Sequence, residues 1–254
     1  MRDEILRTLE EIERERNVRI LLAAESGSRA WGFPSPDSDY DVRFLYVRPR
    51  EAYLRLEKRR DVIELPLRGS LDVNGWDLDK ALRLLHGSNP TLFEWFSSPV
   101  IYREDAAFCR RFRPLMWTYF SSRRGLYHYV SMAEGNRRAY LKGETVRAKK
   151  YLYVLRPLLA CRWILDRETP PPMAFSQLAA AELDPALLPE VESLLALKRR
   201  APEVREIPRI RALDRYLEEG IARVKEILSG REREPAPDWA PLNDLFLSVL
   251  DGKP

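Results

Sequence analysis

Two aspartates one residue apart, Asp39 and Asp41, follow a Gly27-Ser28 pair by about a dozen positions, and two more, Asp72 and Asp77, lie further on. The segment Val18–Ala24 reads as a strand leading into Gly27-Ser28. A Gly- and Pro-rich turn (Gly32, Pro34, Pro36) comes next, and Asp39-Tyr-Asp41-Val-Arg-Phe-Leu-Tyr46 then resumes an extended pattern. Carboxylates at i and i+2 of a strand face the same side and repel, so the pair calls for a cation between them. Mg²⁺ or Mn²⁺ is the natural hard partner for such oxygens and commonly shares its shell with substrate phosphates. A Gly-Ser turn lets backbone amides approach a phosphate closely, and a helix start there favours the anion. Together these features point to metal-dependent nucleotidyl transfer from a nucleoside triphosphate.

Two-metal phosphoryl transfer commonly uses a third acid. Leu71-Asp72-Val73 places one within a strand pattern, and Trp76-Asp77-Leu78 places another at its end. Five residues apart in a regular strand, they face opposite sides unless a bulge intervenes, which Gly75 would permit. Asp72 is preferred as the third ligand beside Asp39 and Asp41, because Asp77 can instead cap the helix that begins at Leu78. Asp77 stays open as a catalytic alternative. Ser28 would offer hydroxyl and amide to a phosphate, while Arg29 either neutralises phosphate charge or makes a surface pair. Lys80 either reaches a phosphate or balances Asp77, the reading preferred here. Lys149, Tyr153 and Arg156 share one helix face and would either grip a triphosphate and stack a base or form an ordinary amphipathic helix. Asp37 reads as a turn residue, Glu64 as a surface position, and His86 and His128 as structural.

These residues must be positioned by a chain of 254 residues with 45% hydrophobic and 32% charged content, ordinary for a globular protein. The formal net charge of +4 leans towards polyanionic partners, although arginine-rich surfaces also arise from ion-pair networks. No apolar run reaches membrane-spanning length and Met1-Arg-Asp-Glu4 is no secretory signal, so a cytoplasmic protein is expected. Cys109 and Cys161 read as buried thiols. Helix is expected over 3–16, strands near 18–24, 40–47, 61–66, 70–78 and 100–102, and short helices at 50–58, 79–85 and 90–96. Beyond Arg103 only helices are expected: 115–140, 146–165 bent or restarted by Pro157, 176–182, 186–199, 208–229 and 240–250. The expected fold class is α+β: a small mixed-sheet catalytic domain over 1–102, followed by an all-helical domain over 103–254 that closes the nucleotide cleft.

The order Gly-Ser then Asp-x-Asp resembles the DNA polymerase β nucleotidyltransferase superfamily. Gly27-Ser-Arg-Ala-Trp-Gly32, Ser38-Asp-Tyr-Asp-Val42, Asp72-Val-Asn-Gly-Trp-Asp77-Leu-Asp-Lys80 and Ser88-Asn-Pro90 with Glu94-Trp95 narrow it. They resemble the RNA-ligase-associated branch, the RlaP or YcgL-like nucleotidyltransferases, over about residues 20–165, and Lys149–Pro157 resembles the corresponding family segment. The resemblance implies a polymerase β-like fold and transfer of a nucleoside monophosphate to a hydroxyl. The acceptor it suggests is an RNA end during repair or processing, and the partner it suggests is an RNA ligase. Transfer to a protein or small molecule, or a silent nucleotide- or RNA-binding module, are the alternatives.

Overall fold

The computed structural model describes residues 1–200, 206–232 and 234–252. It contains two compact units, each discontinuous in sequence. The first comprises Met1–Gly27, Asp39–Phe120 and Ala236–Pro254, the second Ser28–Ser38 and Ser121–Pro235. This partition differs from the expected division at 102/103: residues 28–38 pack with helices of the second unit, while residues 103–120 and the last helix pack on the sheet.

In chain order the elements are α1 (Arg2–Arg16), β1 (Arg19–Glu25), α2 (Gly27–Ala30), β2 (Tyr40–Val47), α3 (Arg50–Tyr53), β3 (Val62–Glu64) and β4 (Leu71–Asp77). Next come α4 (Leu78–His86), α5 (Pro90–Phe96), β5 (Ile101–Glu104), α6 (Ala106–Tyr119), α7 (Ser122–Tyr140), β6 (Thr145–Arg147) and α8 (Ala148–Arg167). The series ends with α9 (Phe175–Glu182), a 3₁₀ turn at Pro185–Leu187, α10 (Leu188–Arg200), β7 (Glu206–Pro208), α11 (Arg211–Ser229) and α12 (Ala240–Leu250).

In the first unit five strands form a mixed sheet in the order β3-β4-β2-β1-β5, with β2 and β4 parallel and the other pairings antiparallel. Alternation decides which residues meet which layer. Val42, Phe44 and Tyr46 of β2 face a core shared with Ile5, Leu9 and Ile12 of α1. Leu45 and Val47, of opposite parity, join a second core built with α4, α5, α6 and α12. Helix starts follow the capping chemistry of the sequence: the side chains of Asp77, Asn89 and Asp105 each accept a backbone N–H in the first turn of α4, α5 and α6.

In the second unit α8 packs against α7, α9, α10 and α11. Beside these helices lies a two-stranded antiparallel ribbon, β6 with β7, for which the sequence showed no strand signal. The continuous helix expected over 115–140 is two helices, because Ser121 caps α7 by accepting the Arg124 amide and α6 ends before it. The helix expected over 50–58 is only the single turn α3. Nor does a bulge form at Gly75. The β2–β4 register runs unshifted from Tyr40↔Leu71 to Tyr46↔Asp77, and the glycine is needed because a Cβ there would lie 2.2 Å from the Phe44 ring.

Pro157 neither ends nor restarts α8, which runs unbroken through it. A proline inside a helix leaves the carbonyl four residues earlier without its amide donor. Here that carbonyl belongs to Tyr153, and the Asn136 side-chain amide of α7 donates to it at 2.8 Å. Asn136→Ala is expected to destabilise the protein by about 1–3 kcal/mol in urea unfolding, the range for orphaning a buried carbonyl. Adding Pro157→Ala, which restores an amide donor, should recover most of that loss; a double variant as unstable as the single one would refute the pairing.

Candidate active site

Asp41 and Asp72 are each the second residue of their strands, and the parallel pairing sets Asp41 directly opposite Asp72. Registered neighbours face the same side, so the two carboxylates are brought together. Asp39 lies just before β2 begins and its charge acts on Asp41. Burial raises the Asp41 carboxyl above its ordinary 3.8; Arg43 opposes this, while Asp72 and Asp39 add to it. Asp39 and Asp72 are thus both close enough to act on Asp41.

The surroundings of Asp41 are built to hold it. Its backbone amide donates to Glu25 Oε1 at 2.8 Å, and its carbonyl accepts from the Ser26 amide at 2.8 Å. Glu25, at the end of β1 and 1% exposed, also receives the Tyr102 hydroxyl, and burial together with that carboxylate raises the Tyr102 pKa. Gly27 has φ +59°, and a Cβ on it would lie 2.0 Å from Asp41 Oδ2. The glycine is required both by its left-handed backbone and by the carboxylate seated against it. Arg43, two residues beyond Asp41 on the same face, reaches both carboxylates: its Nη2 donates to Asp41 Oδ1 at 3.1 Å and to Asp72 Oδ2 at 2.7 Å.

Asp77 is not part of this group. Its strand parity is opposite to that of Asp72, and it is fully buried. The Tyr53 hydroxyl donates to Asp77 Oδ1 at 2.7 Å and Arg48 Nε to Oδ2 at 3.2 Å, while Arg59 lies alongside. Its side chain also caps α4. Asp77 is therefore an internal anchor at the start of α4, set apart from the paired acids. Lys80 does not balance it either, since its ammonium donates to Asp61 at 3.2 Å; the two arginines do that work.

The remaining designated residues lie in the second unit. Ser28 is buried, and its hydroxyl donates to Ser38 Oγ at 3.0 Å, which also meets the Ser35 hydroxyl at 2.8 Å. Arg29 donates to the Ser38 carbonyl at 2.8 Å, so it braces the 28–38 loop. Arg156 is only 3% exposed: it lies over the Trp31 ring at 4.6 Å and donates to the Met173 carbonyl at 3.2 Å. It is packed into this unit's interior rather than lined up with Lys149 on an open helix face. Tyr153 meets Trp31 edge-on. Lys198, which no sequence motif marked, is 4% exposed and sits 5.7 Å from the Phe33 ring and 5.9 Å from the Tyr153 ring. Burial, and then the charge of Lys149, push its pKa down from 10.5 to about 8, with Asp37 opposing.

His86 stacks on Trp239 at 3.6 Å and meets the Pro237 carbonyl at 2.9 Å, fastening the C-terminal segment to α4. Cys109 and Cys161 are buried thiols whose pKa values burial raises. Among the described residues no helix is long and apolar enough to cross a membrane.

The donor set suits a hard divalent cation: carboxylates only, two of them in register, with an oxygen of Asp41 seated against a glycine that leaves it room. Among the described residues, however, no three His, Cys, Asp or Glu side chains stand arranged for metal binding as they are. The Arg43 guanidinium takes an oxygen from each of Asp41 and Asp72.

Gly27→Ala should lower stability by more than the roughly 1–2 kcal/mol of a left-handed alanine, because of the Asp41 contact. Gly69→Ala, with φ +58° and nothing within 4 Å of the added carbon, isolates the backbone share. Equal losses in urea melts would refute the seating of Asp41. For Lys198, the unfolded chain holds its proton up to 10.5 and the folded protein only to about 8, so stability should rise with pH between those values. Lys198→Met should flatten that rise; an unchanged slope in paired unfolding curves would refute it.

A Bacillus subtilis (strain 168) protein named "Uncharacterized protein YcgL" is 44% identical over 252 residues, 99% of this chain and 97% of that protein. A solved nucleotidyltransferase-like protein from Exiguobacterium sibiricum 255-15 is similar over 98% of this chain and 80% of its own, at 13% identity and a TM-score of 0.32, a likeness too slight to bear on the site. Residues 1–248, nearly the whole chain, match the family described as "RNA repair pathway DNA polymerase beta family", and the chain therefore belongs to that family, RlaP.

Proposed function

We propose that the protein is a metal-dependent nucleotidyltransferase that moves a nucleoside monophosphate from an NTP to a hydroxyl, with an RNA end as the acceptor. The observation that carries this reading is the in-register pairing of Asp41 with Asp72 on parallel strands, with Asp39 at the head of β2. The RNA acceptor is supported by the family's description as an RNA repair polymerase β family.

The chemistry in this reading is a displacement at the α-phosphorus. The acceptor oxygen forms a bond to phosphorus, the bond to the bridging oxygen of the β-phosphate breaks, and pyrophosphate departs with that electron pair. Asp39, Asp41 and Asp72 would hold Mg²⁺ or Mn²⁺, which when bound supplies Lewis-acid stabilisation of the charge developing on phosphate oxygens. Asp72 would accept the acceptor's proton, and Glu25 and Gly27 hold Asp41 in orientation.

The test is transfer of label from each α-labelled NTP, with Mg²⁺ or Mn²⁺, into cellular RNA, into the protein itself, and into small-molecule hydroxyls. Label is expected in RNA. The Asp39→Asn/Asp41→Asn double variant should lose at least about 10³-fold in turnover while keeping its unfolding midpoint. Full activity in that variant would overturn the acid assignment. Label appearing only on protein or small molecules would overturn the acceptor, and nucleotide or RNA binding without transfer would favour a silent binding module.

A further inference from the structure

Arg43 is a cation that the strand pattern itself delivers to the paired acids. Position i+2 from Asp41 puts its side chain on the same face of β2. Its fork is held at four points. Nη2 takes Asp41 Oδ1 at 3.1 Å and Asp72 Oδ2 at 2.7 Å, and Nη1 takes the Asp72 and Val42 carbonyls, each at 3.2 Å. The side chain is one-fifth exposed, so this is more than a mobile surface pair. A guanidinium keeps its charge at any working pH. Arg43 takes one oxygen of each carboxylate, and a divalent cation between Asp41 and Asp72 would draw on the same two negative charges, so the two cations compete for them.

We propose that Arg43 is a built-in counter-ion that competes with the divalent cation for Asp41 and Asp72, so that metal binds weakly to the free protein and tightly only together with a phosphate-bearing substrate. This rests on the metal-dependent reading given above and assigns a means of regulation to the same site. When metal takes the two carboxylates, the guanidinium loses both anionic partners and keeps only the Val42 and Asp72 carbonyls, so its charge is offset only if another anion arrives. A phosphate offers a matching pair of oxygens for the displaced fork. Metal and nucleotide then each raise the other's affinity by the same factor, as linkage requires. Arg43 acts through the acids and is a positioning residue rather than a catalytic one.

The test measures Mn²⁺ binding to the full-length protein by the loss of the free-ion electron paramagnetic resonance signal, with and without an α,β-methylene NTP that cannot react. The native protein should bind Mn²⁺ at least about tenfold more tightly when the analogue is present, a typical coupling. Arg43→Met should bind Mn²⁺ at least about tenfold more tightly than native without nucleotide and show little further gain with it. Arg43→Lys, whose ammonium cannot fork, should fall between the two. If Arg43→Met folds only when Mn²⁺ is added, as read by circular dichroism, that result also supports the role, since the acids then require some cation. If it does not fold at all, Arg43→Lys decides: tighter metal binding than native supports the inference and an unchanged dissociation constant overturns it. Native-like Mn²⁺ binding by a folded Arg43→Met also overturns it. An Asp41→Asn/Asp72→Asn variant separates the two levels. Mn²⁺ binding that survives there refutes the metal assignment itself, whereas binding lost there but unchanged by Arg43→Met refutes only the part given to Arg43.

Discussion

The parallel pairing of β2 with β4, in a register that sets Asp41 against Asp72, governs the rest of the first unit. Two carboxylates side by side are repulsive, so every neighbour must either hold them in place or offset their charge. The hydrophobic residues of the same strands supply the holding. Val42, Phe44, Leu71 and Val73 anchor one face against α1, and Leu45 and Val47 anchor the other against α4, α5, α6 and α12. A slip of one residue would turn these side chains out of both cores and rotate the acids away from each other. The apolar layers and the polar site are therefore consequences of a single register.

Charge within the sheet is managed in two separate places. At one end of β2 and β4, Asp41 and Asp72 share Arg43, and Glu25 is spent on orienting the Asp41 backbone. At the other end, Asp77 is enclosed by Arg48, Arg59 and the Tyr53 hydroxyl and starts α4. The two groups contain similar residues but differ in exposure. Asp77 is sealed with its hydrogen-bonding capacity taken up, whereas the Asp41 and Asp72 side chains keep 27% and 37% of their surface. A sealed ion cluster organises a fold, and only one open to solvent can meet a substrate.

Much of this was legible from the chain itself. The strands, the pairing of Asp41 with Asp72 and the capping of α4 by Asp77 all follow from alternation and capping preferences, which act over a few residues. Arg43 could have been found the same way, since i+2 from Asp41 must share its face. Other features lay outside local reach. Arg156 and Lys149 occur at helical spacing, yet Arg156 is drawn inward because Trp31 offers its ring and Met173 a carbonyl, both remote in sequence. Lys198 carries no motif, and its lowered pKa exists only because aromatic rings and Lys149 are folded around it.

The residue pattern by itself determined which groups repel, which strands present them and where helices begin, because these depend on dihedral preference, parity and the nearest hydrogen-bond donors. Tertiary structure decided the matters that need partners far along the chain. It joined β2 to β4 in register, satisfied the Tyr153 carbonyl above Pro157 with Asn136, and assigned residues 28–38 to the helical unit. Contacts of that kind are selected by packing and by satisfying buried polar groups over the whole fold, and no local window of sequence contains both halves of such a contact.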